Sequence, residues 1–145
     1  MEAWDDSDMA LTPMEFVLLW EGGLSNNAED PGGVTNWGIS QRAYPDLDIV
    51  HLSKEQAIEI YERDYWSKAG CECLPQSLAF VVFNAAVNCG VGRAKRWLGD
   101  CGGDYREFLH LQLCHYAALK KPMFIQGWLN RTLDAWAQAR KLEVA

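Results

Sequence analysis

Two carboxylates and a hydroxyl near the start of the chain have the types and spacing that acid–base chemistry requires. Glu21 ends an apolar run, Asp30 follows nine residues later on a polar loop, and Thr35 comes shortly after it. Two carboxyl groups in different surroundings can act as proton donor and as base or charge stabiliser. Cleavage of a glycosidic bond uses such a pair, so these three residues form the predicted catalytic group.

The sequence places Glu21 at the C-terminal end of the first helix. Thr12 suits the N-cap, Pro13 suits the first turn, and Glu15 completes a capping box. A glycine pair after Glu21 then ends the helix. A helix C-terminus and apolar neighbours both disfavour a charged carboxylate, so we expect Glu21 to retain a proton for general acid catalysis. The alternative is an exposed glutamate just past a helix end.

Glycine, proline and asparagine between Leu24 and Ser40 indicate turns, and residues 34–39 predict a small β-hairpin or irregular ribbon. The alternative role for Asp30 is to cap a tight turn. A calcium loop at residues 26–30 does not fit the EF-hand spacing.

Apolar periodicity predicts five further helices, at about residues 53–66, 76–89, 93–98, 105–119 and 123–142. No βαβ alternation is present, so the predicted class is mainly α, an α+β fold in which a small β or loop lobe flanks a cleft. In the last helix the apolar residues at three- and four-residue steps predict a core-facing stripe, with Asn130 and Arg131 on its flanks. These are Ile125, Trp128, Leu129, Thr132, Leu133 and Trp136.

Asn84 and Asn88 interrupt the most apolar predicted helix and share one of its faces. Buried amides must be hydrogen-bonded. The two side chains therefore either bridge to a neighbouring backbone or line a cleft and meet a ligand, and the sequence leaves both readings open.

Composition restricts the partners. The chain has 145 residues and a net charge of −7, and an acidic chain is a poor ligand for nucleic acid. No apolar run approaches the roughly 20 residues of a membrane span, and the acidic N-terminus lacks a signal-peptide pattern. Five cysteines without a CxxC pair predict reduced thiols, and no metal is expected. A monomer is expected.

The stretch from Trp20 to Ser40, WEGGLSNNAEDPGGVTNWGIS, resembles the EGG…DPGG…T…GIS signature of glycoside hydrolase family 108, the phage-type N-acetylmuramidases. The likeness continues through QRAYPDLDI, LSKEQAIEIYERDYW and FNAAVNCGVGRAKRWL, and it covers about residues 14–136. FIQGWLNR resembles the C-terminal peptidoglycan-binding region often joined to that family. The chain departs from the family pattern in a short stretch between Trp97 and Tyr105, and in Trp37 and Asn84, where relatives often have Tyr and Asp.

The resemblance implies a lysozyme-like domain over residues 1–145, with a catalytic region at about 12–98 and C-terminal helices at about 104–142. It implies hydrolysis of the β-1,4 bond between N-acetylmuramic acid and N-acetylglucosamine, and it favours inversion. Glu21 would protonate the leaving oxygen, Asp30 would act as base or charge stabiliser, and Thr35 would orient water. Trp37, Asn84 and Asn88 are the predicted contacts to the peptidoglycan glycan strand, and no cofactor is expected.

A phage endolysin fits this pattern: it would be made in the host cytoplasm without a signal peptide and would act on the cell wall after release. Three alternatives stay open. A lytic transglycosylase needs only one glutamate, so Asp30 and Thr35 speak against it. A secretion-associated muramidase would share the chemistry, and a non-catalytic wall-binding module would keep only the fold.

Overall fold

The computed structural model describes residues 9–26 and 32–143. Within these ranges the chain forms six α-helices and a three-stranded antiparallel sheet. The elements are α1 (Pro13–Glu21), β1 (Ser25–Asn26), β2 (Val34–Asn36), β3 (Ile39–Ser40), α2 (Lys54–Tyr61), α3 (Gln76–Cys89), α4 (Val91–Asp100), α5 (Tyr105–Ala118) and α6 (Pro122–Lys141). A π-helical turn, Glu62–Trp66, continues α2, and a 3-10 turn, Cys71–Cys73, precedes α3. The predicted mainly helical, lysozyme-like α+β class is confirmed.

The helix α3 forms the centre of the fold. Every residue from Ser77 to Ala86 is buried, and the helix packs against α1, α4, α5 and α6. The ring of Phe80 meets Phe16 of α1 edge-on at 5.1 Å between centroids, and Phe83 meets Trp66 in the same way at 5.4 Å. An all-round apolar helix of this length is expected at the centre of a helical domain, which confirms the sequence prediction for residues 76–89.

The capping residues fix the ends of α1 as the sequence predicts. The Thr12 hydroxyl accepts a hydrogen bond from the Glu15 amide at 3.1 Å, and the Glu15 carboxylate accepts one from the Thr12 amide at 3.3 Å. At the other end, Gly22 has a φ of 75° and its amide bonds back to the carbonyl of Leu18. Both ends being fixed, Glu21 is the last residue of the helix.

The sheet lies directly after α1, and β2 is its middle strand. The predicted hairpin at residues 34–39 is present, and β1 is an additional strand that pairs Ser25 with Thr35. Trp37 and Gly38 form the two-residue turn between β2 and β3, and both have a positive φ, 54° and 79°. This is the conformation of the tight turns that join twisted strands. It is unfavourable for a tryptophan, so other contacts must hold Trp37 there.

Helix α6 is rotated relative to the sequence prediction. Thr132 of the predicted stripe is buried, but Leu129, Leu133 and Trp136 are exposed, with Leu133 at 56%. The buried positions are instead Arg131, Thr132, Ala135 and Ala139. The predicted core-facing stripe is therefore wrong for three of its members. Small residues let α6 pack closely on α3, which turns the large apolar side chains away from the core.

No helix in residues 9–26 and 32–143 has both the length and the apolar character needed to cross a bilayer. The division of the chain into a catalytic region and C-terminal helices stays a prediction.

Candidate active site

Glu21 lies where α1, the β2–β3 turn and α6 meet. Its side chain is 21% exposed, so it is mostly enclosed but still reaches solvent. Its Oε1 accepts a hydrogen bond at 2.8 Å from Nη1 of Arg131 on α6. A carboxylate in such a position can exchange a proton with a ligand and keep a fixed orientation.

Arg131 is itself held from behind. Its side chain is 9% exposed, and its Nε donates a hydrogen bond at 2.9 Å to Oδ1 of Asn84 on α3. Asn84 is 1% exposed. These three side chains, here called the Glu21 cluster (Glu21, Arg131 and Asn84), connect α1, α3 and α6 through two hydrogen bonds.

The ion pair changes the electrostatic argument made from sequence. The sequence argument weighed the helix end and the apolar neighbours, but a guanidinium also lies 2.8 Å from the Glu21 carboxyl group. The argument omitted this cation because Arg131 is 110 residues away in the chain. A cation next to a proton donor also stabilises the carboxylate that remains after the proton has left.

Gly38 brings the turn onto the other side of Glu21. A Cβ atom added to Gly38 would lie 2.6 Å from Cβ and 2.7 Å from Oε2 of Glu21, and 2.6 Å from the hydroxyl of Tyr61. No side chain fits at such distances. Glycine is therefore required here both for its positive φ and for the close approach to the carboxyl group.

Two hydrogen bonds hold the strained turn. The Trp37 indole N–H donates to the carbonyl of Leu52 at 3.2 Å, and the Tyr61 hydroxyl donates to the carbonyl of Trp37 at 2.6 Å. Burial, with Glu21 nearby, raises the pKa of Tyr61 above that of a free phenol. Tyr61 thus stays protonated and remains a donor to the turn throughout the neutral range.

The structure describes one of the two remaining predicted catalytic residues. Thr35 is half-buried in the middle strand β2, where it pairs with Ser25 and Ser40. Asp30 falls in the sequence between β1 and β2, and it lies outside the described residues. The predicted roles of Asp30 and Thr35 both stay predictions.

Trp37 lines a surface cavity of about 320 Å³ between the turn and α1. The wall opposite comes from α1 and its lead-in and includes Leu18 and Leu19, and Glu15 and Lys54 add charged groups. Because the indole N–H is already bonded to Leu52, Trp37 can offer a ligand its apolar face. A larger cavity, of about 490 Å³, lies beside Trp66 and contains none of the predicted site residues.

Asn88 does not join Glu21. Its Nδ2 donates to the hydroxyl of Tyr116, which also accepts from Nε2 of Gln112 at 2.9 Å and lies 3.3 Å from Sγ of Cys89. We call these four residues the Tyr116 cluster. Burial raises the pKa of both Tyr116 and Cys89, so the cluster is electrically neutral. Asn84 and Asn88, predicted together as glycan contacts, thus enter different surroundings, and direct contact with a ligand stays a prediction for both.

Arg131 is the residue beside Glu21 that sequence reasoning missed. A signal was present: Arg131, Asp134 and Gln138 stand at positions i, i+3 and i+7 of α6, which form one face of a helix. Asp134 accepts a hydrogen bond from the Trp20 indole at 3.0 Å, and Gln138 accepts one from the Leu11 amide at 2.9 Å. When a helix carries a polar stripe in addition to an apolar one, the polar stripe can thus indicate the face that contacts a site.

The described residues contain no group of three or more His, Cys, Asp or Glu side chains placed to hold a metal ion.

The match of this chain to a known enzyme family shows that it is a glycoside hydrolase. The glycosyl hydrolase 108 pattern matches residues 14–90, more than half of the chain and the part that includes Glu21, Thr35 and Asn84. The chain belongs to the glycosyl hydrolase 108 family and is, at that level, a peptidoglycan hydrolase of the N-acetylmuramidase type.

The fold is similar to that of a solved structure, Brucella abortus SagA. The two share 23% sequence identity with a TM-score of 0.74, over 89% of this chain and 92% of that one. A comparison with curated protein sequences gives no match.

Proposed function

We propose that the protein hydrolyses the β-1,4 bond between N-acetylmuramic acid and N-acetylglucosamine, with Glu21 as the proton donor. The observation that carries this proposal is the placement of Glu21, which is fixed by Arg131 on one side and Gly38 on the other and still reaches solvent. A general acid needs this combination of fixed orientation and access.

In the proposed reaction, Glu21 gives its proton to the glycosidic oxygen as the bond from that oxygen to the anomeric carbon breaks. Water then attacks the anomeric carbon. Asp30 would act as base or stabilise the positive charge on the sugar ring, and Thr35 would orient the water. We expect inversion at the anomeric carbon. NMR would test this by identifying the anomer of the reducing sugar that forms first. Trp37 would present its apolar face to a sugar ring, as aromatic side chains do in carbohydrate sites.

The test compares Glu21→Gln with Glu62→Gln, an exposed glutamate on the π-helical turn. Both variants remove one carboxylate, but only the first removes the proposed proton donor. We expect Glu21→Gln to lower turnover on purified peptidoglycan on the order of 10³-fold and Glu62→Gln to leave it unchanged. Turnover by Glu21→Gln close to that of the wild type would show that another group supplies the proton.

Product analysis distinguishes hydrolysis from the transglycosylase alternative. Hydrolysis leaves N-acetylmuramic acid with a free reducing end, whereas a lytic transglycosylase closes a 1,6-anhydro ring on that sugar. Mass spectrometry of the released muropeptides separates the two because the products differ by one water. Anhydro products would contradict the water-dependent mechanism, and the absence of any cleavage would favour a non-catalytic wall-binding role.

For biological context we propose a phage endolysin that stays in the host cytoplasm until a separate protein opens the membrane, and that acts as a monomer. Cells that express the protein should remain intact until the membrane is permeabilised with chloroform, and should then lyse. Cells that express Glu21→Gln at the same level should resist lysis. Lysis without permeabilisation would contradict the dependence on a separate pore and would favour a secretion-associated role.

A further inference from the structure

We propose that Arg131, held in place by Asn84, is a positioning residue for Glu21 that directs the transferable proton to Oε2. The inference rests on the proposed role of Glu21 as proton donor. It adds a specific task for two residues that neither the predicted catalytic group nor the family match assigns.

The first step in the argument is the hydrogen bond itself. Oε1 of Glu21 accepts from a guanidinium N–H at 2.8 Å, and arginine stays protonated in proteins. An oxygen that already accepts from a permanent donor is the less favourable site for a proton. In protonated Glu21 the proton therefore sits on Oε2, the oxygen that faces Gly38. The scissile oxygen must then meet Oε2 rather than Oε1.

The second step concerns how Arg131 is oriented. Its Nε bonds to Asn84 at 2.9 Å, and α6 is fixed against α1 by the Trp20–Asp134 and Leu11–Gln138 hydrogen bonds. Asn84 on α3 thus orients the guanidinium, and α6 positions it beside Glu21. Since Nη1 is the atom that reaches Glu21, a small rotation of Arg131 would move the carboxyl plane with it.

The third step is that the Glu21 cluster contributes little to the stability of the fold. Arg131 Nη2 and Asn84 Nδ2 are buried and have no hydrogen-bond partner among the described residues. Buried donors without acceptors destabilise a fold, and a buried ion pair is often no more stable than apolar side chains of similar volume. An unfavourable buried cation next to a proton donor is instead what a functional requirement would retain.

Within residues 9–26 and 32–143, the other groups that face Glu21 are uncharged at neutral pH. Tyr61 and Tyr65 approach it from the segment that begins with α2, and burial raises the pKa of both phenols. The turn contributes Trp37 and Gly38, which do not titrate. Among the described groups around Glu21, the permanent charge of Arg131 is thus the one whose removal should alter the pH dependence of turnover.

The experiment measures kcat, KM, the pH profile of kcat and the thermal midpoint for Arg131→Met and Arg131→Lys. We expect Arg131→Met to lower kcat on the order of 10²-fold with little change in KM, since misplacement of a reacting group acts on the chemical step. Loss of the guanidinium should also move the alkaline limb of the profile upward. Its thermal midpoint should fall, because Glu21 and Asn84 both lose their donor, so kcat is expressed per folded molecule.

Arg131→Lys separates charge from geometry, because lysine keeps the charge but cannot bond to Glu21 and Asn84 together. We expect Arg131→Lys to keep the alkaline limb of the wild-type pH profile and to have a lower kcat. Arg140→Met is the matched control on the same helix, since Arg140 is exposed and stacks on Trp136. It should leave kcat and the pH profile unchanged.

The proposal is overturned if Arg131→Met keeps kcat within about twofold and an unchanged pH profile, or if both Arg131 variants lose activity only in proportion to lost folded protein. If Arg131→Met does not fold, a normal kcat in Arg131→Lys is by itself enough to overturn the proposal. The Glu21→Gln variant keeps the two proposals distinct. Full activity in Glu21→Gln contradicts the proposed function, whereas an inactive Glu21→Gln beside a normal Arg131→Met contradicts only this inference.

Discussion

Asn84 and Asn88 stand one turn apart on the same face of α3, yet they enter two different polar clusters. Asn84 belongs to the Glu21 cluster, where it accepts from a permanent cation that in turn binds a partly exposed carboxylate. Asn88 belongs to the Tyr116 cluster, where neutral groups gather around one hydroxyl between α3 and α5. The residue type and the spacing are the same. The difference arises from the partner, which is charged and near solvent in one case and neutral and enclosed in the other.

The comparison indicates how to separate function from structure in a helical core. Both clusters contain buried atoms that have no hydrogen-bond partner in the part of the chain that the structure describes: Arg131 Nη2 and Asn84 Nδ2 in the first, and Gln112 Oε1 in the second. Unpaired atoms alone therefore do not mark a site. The Glu21 cluster differs because it ends in a titratable group that a ligand can reach.

The largest expected effect is at the turn beside the Glu21 cluster. Gly38→Ala places a methyl group 2.6–2.7 Å from Glu21 and Tyr61 atoms, so either the carboxyl group or the turn must move. We expect kcat to fall on the order of 10²-fold or more, measured on purified peptidoglycan. Gly33→Ala is a matched control, because Gly33 also has a positive φ of 70° but its added Cβ meets nothing within 4 Å. Equal losses in both variants would mean that backbone strain alone is responsible.

The second expected effect is on stability in the Tyr116 cluster. Tyr116→Phe removes the hydroxyl that accepts from Asn88 and Gln112, which leaves two amide donors without that acceptor. Denaturant unfolding should show a loss of about 2 kcal/mol, with kcat per folded molecule unchanged. A lower kcat at full folding would show that the two clusters are coupled.

The two asparagines give the most direct version of the comparison. Asn84→Ala should lower kcat roughly tenfold by freeing Arg131 to rotate, since small misplacements act strongly on a chemical step. Asn88→Ala should leave kcat unchanged and lower the free energy of unfolding by about 1 kcal/mol. If the two substitutions change kcat equally, the distinction between the two clusters is wrong.

The smallest expected effect is at a third polar group, near the surface. Asp64 accepts from Tyr44 at 2.6 Å and from Arg63, and the Arg63 bond, with the Tyr44 bond, lowers the pKa of Asp64 from 3.8 to about 2. A carboxylate with a lowered pKa stabilises the fold above its unfolded pKa, and this contribution is lost as pH falls from about 4 to about 2. Asp64→Asn should therefore lower stability by about 1 kcal/mol at pH 7, and by nothing measurable at pH 2. A deficit that persists at pH 2 would indicate lost packing instead.

Local signals predicted the parts of the fold that depend on neighbours in sequence. The capping box at Thr12 and Glu15, the apolar helix at residues 76–89 and a small hairpin at residues 34–39 are all present. These features depend on propensities and spacing within a few residues, which a sequence shows directly.

The features that were missed depend on contacts across the chain. The apolar pattern of α6 gave the wrong core face, because three large side chains are exposed while alanines and Arg131 face inward. Apolar periodicity assigns the most hydrophobic face to the core, and here small residues and a buried cation take its place. The polar stripe of α6 marks Arg131 as facing another part of the molecule, but only the fold shows that its partner is Glu21, 110 positions away.

The separation of Glu21 and Arg131 by 110 positions has a consequence for synthesis of the protein. A ribosome synthesises Glu21 110 residues before Arg131, so a growing chain carries the acid over that stretch of translation without the guanidinium. Completion of the site then coincides with docking of α6. A fragment that stops at residue 90, where the family match stops, would likewise keep its acid but lack this cation.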